Sequence, residues 1–335
     1  MNKKDAFLKV ENLVVEYVTA GRTTHAVNGV SFWLEKGKTL GLVGETGAGK
    51  TTIAKAILRV LPDAQARIKE GKVALGDTEL LTLSEPAMRK VRGGKVTMVF
   101  QDPMTALNPI MKVGEQIAEV IRKHQKLENK TSAELAEDML EMVGIPKNRY
   151  HEYPHQFSGG MKQRVVIAMA LACNPELLLA DEPTTALDVT IQAQVLDMME
   201  DLKKRYNMSM ILITHDLGVV GRMCDDVAVV YAGEILEYGS REEIFLHPQH
   251  PYTIGLFGAI PDLSVDTRRL ANIEGMPPDP TDLPKGCCFS PRCPYATETC
   301  HIEKAALTEV RAGHLCSCPY NKNEREEGKH GTGRS

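Results

Sequence analysis

The feature that most constrains this chain is the octapeptide Gly44-Glu45-Thr46-Gly47-Ala48-Gly49-Lys50-Thr51, of the form GxxxxGK[ST]. An apolar run from Leu40 to Val43 precedes it, and residues 51–60 follow with helical spacing. The glycines let successive backbone N–H groups turn inward, and a helix N-terminus adds positive potential at the same place. Strand, loop and helix in that order predict a cradle for the phosphates of a nucleotide. Lys50 is expected to reach the β- and γ-phosphates, and the Thr51 hydroxyl to ligate Mg²⁺. Gly44 to Thr51, with Thr52 beside them, are therefore candidate nucleotide-binding residues. By itself the motif says NTPase and nothing narrower.

A second segment, Glu176-Leu-Leu-Leu-Ala-Asp181-Glu182, reads as a buried strand ending in two carboxylates. Alone, such a run is usually structural. Downstream of a phosphate loop, Asp181 becomes a candidate to hold Mg²⁺ through water, and Glu182 a candidate catalytic base. Elsewhere residues 6–45 are β-rich, with turns at 20–21 and 36–37. Residues 112–143 are largely helical, with an N-cap expected at Thr131 or Ser132. From Met161 to Val230 helical and apolar segments alternate, and a hairpin is expected around Ala232-Gly233. The alternation predicts an α/β sheet domain.

Composition excludes several classes. The chain has 335 residues, a soft prior of about two domains at ~150 each. Forty Lys plus Arg against 44 Asp plus Glu leave a net charge of −4, so a nucleic-acid partner is not expected. The longest apolar run, Val165 to Cys173, falls short of the ~20 residues of a membrane-spanning helix. The first residues lack a secretory stretch, so the protein is expected to stay in the cytoplasm. After about residue 261 the chain turns Pro-rich, and 321–335 is expected to be a disordered tail. Cys173 and Cys224 stand singly, whereas Cys287, Cys288, Cys293, Cys300, Cys316 and Cys318 crowd together. In a reducing compartment that clustering points to metal or cofactor ligation ahead of disulfides.

The segment Phe157-Ser158-Gly159-Gly160-Met161-Lys162-Gln163-Arg164 resembles the LSGGQ-type signature of ATP-binding cassette (ABC) ATPases, with Phe and Met in place of Leu and Gln. Gln101 in MVFQDP matches the family's Q-loop, Ala186-Leu187-Asp188 its D-loop, and His215 in ILITHD its switch histidine. The resemblance covers residues 6–240. It implies an α/β P-loop NTPase with a RecA-like core, an antiparallel β subdomain and a helical subdomain near 102–165, together filling 1–260. It further implies that two cassettes pack head to tail, with Ser158, Gly159 and Gly160 meeting the γ-phosphate held by a partner. Gln101 would touch Mg²⁺ and the membrane partner, and His215 the γ-phosphate or the attacking water. Asp188 would work across the dimer interface. Tyr17, 27 residues before Gly44, takes the place of the aromatic that stacks on adenine; the other reading is a half-buried strand tyrosine. Trp33, Tyr231 and Phe100 read as structural.

Beyond the cassette, His250-Pro251-Tyr252-Thr253, Ile273 to Pro278 and Gly286 to Ala296 resemble the C-terminal extension of oligopeptide, dipeptide and nickel importer ATPases, the D-type peptide subunit above all. This implies an ATP-hydrolysing subunit that powers import of dipeptides or oligopeptides, or alternatively nickel. Implied partners are two membrane permeases, an F-type ATPase subunit and, indirectly, an extracytoplasmic peptide-binding protein; a homodimer is the alternative in isolation. The implied location is the cytoplasmic face of the cell membrane, peripherally bound. The competing class, a soluble ABC ATPase outside transport, usually pairs two cassettes or inserts a long coiled coil, and neither is present. Within the extension, residues 261–320, the family's cysteine positions select Cys287, Cys293, Cys300 and Cys318, spaced C-x5-C-x6-C-x17-C. They are expected to ligate a [4Fe–4S] cluster, with structural zinc as the second reading and free or disulfide-bonded thiols as the third. Cys288 and Cys316 are spares, Cys316 being an alternative fourth ligand.

Overall fold

The computed structural model describes residues 6–19, 21–185, 187–258 and 273–319. The expected disordered tail and residues 261–272 of the Pro-rich stretch lie outside the described residues. The chain begins with β1 (Leu8–Thr19), β2 (Arg22–Leu34), β3 (Thr39–Val43), α1 (Lys50–Leu58), β4 (Ala66–Leu75) and β5 (Thr78–Glu79). There follow α2 (Glu85–Val91), β6 (Val96–Val99), α3 (Pro103–Ala106), α4 (Val113–Gln125), α5 (Asn129–Met142), α6 (Gly159–Leu171), β7 (Leu177–Asp181), α7 (Val189–Tyr206) and β8 (Ser209–Ile213). The remainder is α8 (Leu217–Met223), β9 (Asp226–Tyr231), β10 (Glu234–Ser240), α9 (Arg241–Leu246), α10 (Pro251–Gly258), α11 (Glu298–Ile302), β11 (Thr308–Arg311) and β12 (His314–Cys316). Two compact units emerge, one of residues 1–34, 40–81 and 214–335, the other of 35–39 and 82–213.

In the first unit an antiparallel sheet runs β2-β1-β4-β5. Its inward positions along β1 change parity, from Leu8 and Val10 to Leu13 and Val15. The change falls where Asn12 takes φ 47° and the register shifts, so a bulge returns the apolar set to the core face. A second group pairs β3 parallel to β9, both buried along their whole length, and β9 antiparallel to β10. The β9–β10 turn has φ 46° at Ala232 and 79° at Gly233, the two positive values that a tight hairpin there requires. β12 adds to β10 with Glu237 opposite Cys316. The buried His314 of β12 fixes that edge, its Nε2–H donating to Glu237 Oε1 at 2.6 Å. Glu237 also accepts the backbone N–H groups of Gln249 and His250 at 2.8 Å each, so its carboxylate is fully engaged away from water.

In the second unit β6, β7 and β8 are parallel, and β7 and β8 are buried throughout. That is why these strands read as unbroken apolar runs and not as alternating ones. The helix expected to begin at Thr131 or Ser132 begins earlier, with Glu128 as N-cap. Ser132 is accommodated inside α5 because its hydroxyl donates back to Asn129 O at 2.9 Å. Phe100, read as structural, is 43% exposed just past the end of β6. Among the described residues no helix is long and apolar enough to cross a membrane.

Candidate functional site

In the first unit the loop between β3 and α1 is shaped by its glycines. Gly44, Gly47 and Gly49 take φ of 147°, 83° and 99°, values that L side chains rarely adopt. A Cβ on Gly44 would stand 2.0 Å from Val230 O, and one on Gly49 2.4 Å from Ala26 O, so any larger residue collides with backbone. Helix α1 opens at Gly49, which has no side chain to cap it, leaving the first-turn N–H groups aimed at the loop. The ammonium of the buried Lys50 folds back and donates to Gly44 O at 2.7 Å and Glu45 O at 2.9 Å. Thr46 and Gly47 are exposed, Ala48 is buried, and Thr51 and Thr52 are partly buried. Tyr17 of β1 is partly buried with its hydroxyl 3.4 Å from Thr52 Oγ1, which brings the candidate adenine platform beside the end of the loop. His215 is exposed shortly before α8, whose N-cap Asp216 accepts from Gly218 N and Val219 N.

The second unit carries the carboxylates. Asp181, 2% exposed, ends β7. Glu182 follows in the left-handed region at φ 47°, a strained backbone that turns its side chain out of the strand. Its Oε2 accepts from Gln101 Nε2 and from Thr185 Oγ1, each at 2.9 Å. Ser158 is the N-cap of α6, its Oγ accepting from Met161 N, and Ser158 and Gly159 lie exposed at that helix end. Gly160 faces Ile191, and a Cβ there would come within 2.5 Å of Ile191 Cγ2. Asp188 is the exposed N-cap of α7, accepting from Ile191 N at 3.0 Å; Ala186 lies outside the described residues. Its positive dipole end suits α6 to an anion presented from outside.

The cysteines require a correction. Cys287, Cys293, Cys300 and Cys318 do line one cavity of about 190 Å³, beside His250. Yet among the described residues no three His, Cys, Asp or Glu side chains are grouped to hold a metal ion. This overturns the expected [4Fe–4S] cluster, and the zinc alternative with it. Burial pushes the Cys287 thiol up, with Cys293 and Cys300 nearby adding to the shift. Burial pushes Cys288 still further, and its Sγ lies against Tyr231 O; Cys316 is buried in β12. The two spares are packing residues.

Three contacts at the site have no signal in the sequence. Thr185 shares Glu182 with Gln101. Tyr252, placed in the sequence only within the extension motif, has its hydroxyl accepting from Glu45 N at 2.9 Å. Arg292, amid the cysteines, pairs with the Glu45 carboxylate. Only the fold brings these segments together.

Residues 27–185 match the ABC transporter family, and residues 236–300 the oligopeptide/dipeptide transporter C-terminal region. A dipeptide transport ATP-binding protein of Bacillus subtilis is 47% identical over 96% of both chains. An oligopeptide transport ATP-binding protein of Haemophilus influenzae is 49% identical over 93% of this chain and 96% of its own. A solved cassette dimer in a post-hydrolysis state, bound to ADP and Pi, aligns with 70% of this chain and 98% of its own at 25% identity and a TM-score of 0.63. A glycine-shaped phosphate loop, a buried strand ending in Asp-Glu and a serine-capped signature helix thus define an ATP-binding cassette ATPase with a P-loop α/β fold. The chain belongs to the ATP-binding subunits of the oligopeptide/dipeptide ABC transporter family.

Proposed function

We propose that this chain is the ATP-hydrolysing subunit of an importer of dipeptides and oligopeptides, coupling ATP turnover to the movement of partner permeases. The observation that carries the reading is the union, in one chain, of a cassette bearing Lys50, Asp181, Glu182 and His215 with a C-terminal region of the peptide-transporter type. Residues 1–260 form the nucleotide-binding part in this reading, and 261–320 the extension.

Lys50 and the α1 N-terminus bind the β- and γ-phosphates, while Tyr17 stacks on adenine. Thr51 and Gln101 supply hydroxyl and amide oxygens, hard donors of the kind Mg²⁺ prefers, and would hold it, with Asp181 reaching it through water. When bound, Mg²⁺ neutralises charge on the phosphate oxygens. Glu182 takes the proton of the attacking water as the bond to the γ-phosphorus forms, and ADP leaves with its β-oxygen. Gln101 and Thr185 keep the Glu182 carboxylate in one orientation, and His215 hydrogen-bonds the γ-phosphate or the water.

Ser158, Gly159 and Gly160 bind the γ-phosphate held by a second cassette, an F-type subunit or a second copy, with Asp188 at the same interface. ATP favours the closed pair because it binds that state more tightly, and hydrolysis removes the bridging phosphate. The chain sits at the cytoplasmic face of the membrane, with an extracytoplasmic peptide-binding protein delivering cargo to the permeases.

Vesicles containing the chain, its permeases and the binding protein test this directly. Dipeptide uptake should require ATP and vanish with Glu182→Gln. Uptake of nickel in place of peptide would replace the cargo, and absence of ATP turnover would overturn the reading.

A further inference from the structure

Arg292 lies 247 residues from Glu45 in the chain, yet the two form a forked ion pair. Nη1 donates to Glu45 Oε2 at 2.8 Å and Nη2 to Oε1 at 3.1 Å. The Arg292 side chain is 5% exposed and that of Glu45 27%. The other guanidinium donors are also taken. Nη1 reaches Tyr231 Oη at 3.2 Å, Nη2 reaches Ile273 O at 3.2 Å, and Nε reaches Glu274 O at 3.0 Å. With all five N–H groups engaged, this arginine has none left for a phosphate. Its effect must pass through Glu45.

Glu45 is the second residue of the phosphate loop. Its carbonyl accepts from Lys50 Nζ and its N–H donates to Tyr252 Oη, so both sides of its peptide are held. Its carboxylate is a negative charge at the place where an anionic ligand must settle. A half-buried carboxylate with no counter-charge would repel that ligand and leave the loop free to turn. Bidentate pairing with a rigid, permanently charged guanidinium removes both problems at once.

We propose that Arg292 is a positioning residue for nucleotide binding: by neutralising and clamping Glu45, the C-terminal region completes the phosphate loop of its own chain. This deepens the nucleotide-site reading of residues 44–51 and rests on it. The extension thereby has a task inside the ATPase, beyond any contact with other subunits.

The test uses the full chain as wild type, Arg292→Ala, Arg292→Lys, Glu45→Gln and the double variant Arg292→Ala/Glu45→Gln. ATP and ADP affinities are measured by titration calorimetry, with KM and kcat from phosphate release. Arg292→Ala should raise the Kd and KM for ATP about tenfold, the scale of one lost charged hydrogen-bond pair, while kcat at saturating ATP changes less than about twofold. ATP should suffer more than ADP because it carries more charge. The double variant should recover most of the affinity, since the uncompensated carboxylate is gone, and Arg292→Lys should fall between wild type and Arg292→Ala. Unchanged ATP affinity in Arg292→Ala, or a double variant no better than it, overturns the proposal. Failure of the wild type to bind nucleotide would instead strike the reading of the loop. If Arg292→Ala does not fold, Arg292→Gln with and without Glu45→Gln must show the same rescue.

Discussion

Gln101 Nε2 donates to Glu182 Oε2 at 2.9 Å across 81 residues of sequence. Thr185 Oγ1 donates to the same oxygen at 2.9 Å, so one carboxylate oxygen is fixed from two directions. Gln101 lies just past β6 and Glu182 just past β7, neighbouring parallel strands. The loops leaving the same ends of two paired strands are therefore held together by this one amide. In an α/β sheet that end is where ligands bind.

Replacing Glu182 with Gln keeps the shape and the contact with Thr185 but removes the base. ATP hydrolysis should fall by at least about a hundredfold while ATP binding persists. Phosphate release and equilibrium nucleotide binding, measured on the same preparation, check this; turnover near wild type would remove Glu182 as the base.

Lys50→Ala deletes the buried ammonium that bridges Gly44 O and Glu45 O. Nucleotide should then bind more than about tenfold weaker, and the rise in melting temperature that ATP gives the wild type should disappear. Thermal unfolding with and without ATP reads both.

Gly49→Ala would place a methyl 2.4 Å from Ala26 O at a residue with φ 99°. Relief requires the loop or strand β2 to move, at a cost of roughly 3 kcal/mol or more. Urea unfolding should show a lower midpoint. Gly47→Ala, whose Cβ meets nothing within 4 Å, should cost less although its φ is also positive.

Tyr150 carries a pH signature. Burial first, then its hydrogen bond and charge contact with Glu115, push its hydroxyl up to about 12. The unfolded chain loses this proton near pH 10, so above that pH it binds fewer protons than the native state and stability falls with rising pH. The contribution is whole below about pH 10 and is lost progressively up to about pH 12. Tyr150→Phe should flatten that part of the alkaline decline, as read from urea midpoints at pH 9 and pH 11.

Much of the site was legible because its chemistry is local. GxxxxGK[ST] encodes its own positive-φ turns, and the apolar run Leu177–Ala180 followed by Asp181-Glu182 marks a strand buried on both faces. That Ser158 and Asp188 cap the starts of α6 and α7 is seen only in the structure. The hairpin at 232–233 was visible from its turn residues. The parity change in β1 at Asn12 was not, since alternation alone does not show a bulge. Nor was the start of α5, where Ser132 resembles a cap but bonds backward inside the helix.

By itself, then, the sequence determined the phosphate loop, the carboxylate strand, the signature helix and the family, because each is written in contiguous residues whose backbone preferences set their geometry. Tertiary structure decided which distant groups share an environment. It set Gln101 and Thr185 on Glu182 and Arg292 on Glu45, and it left Cys287, Cys293, Cys300 and Cys318 around a cavity without, among the described residues, the grouping that a metal demands. Spacing along a chain constrains how far apart two side chains can be. Only packing decides whether they meet.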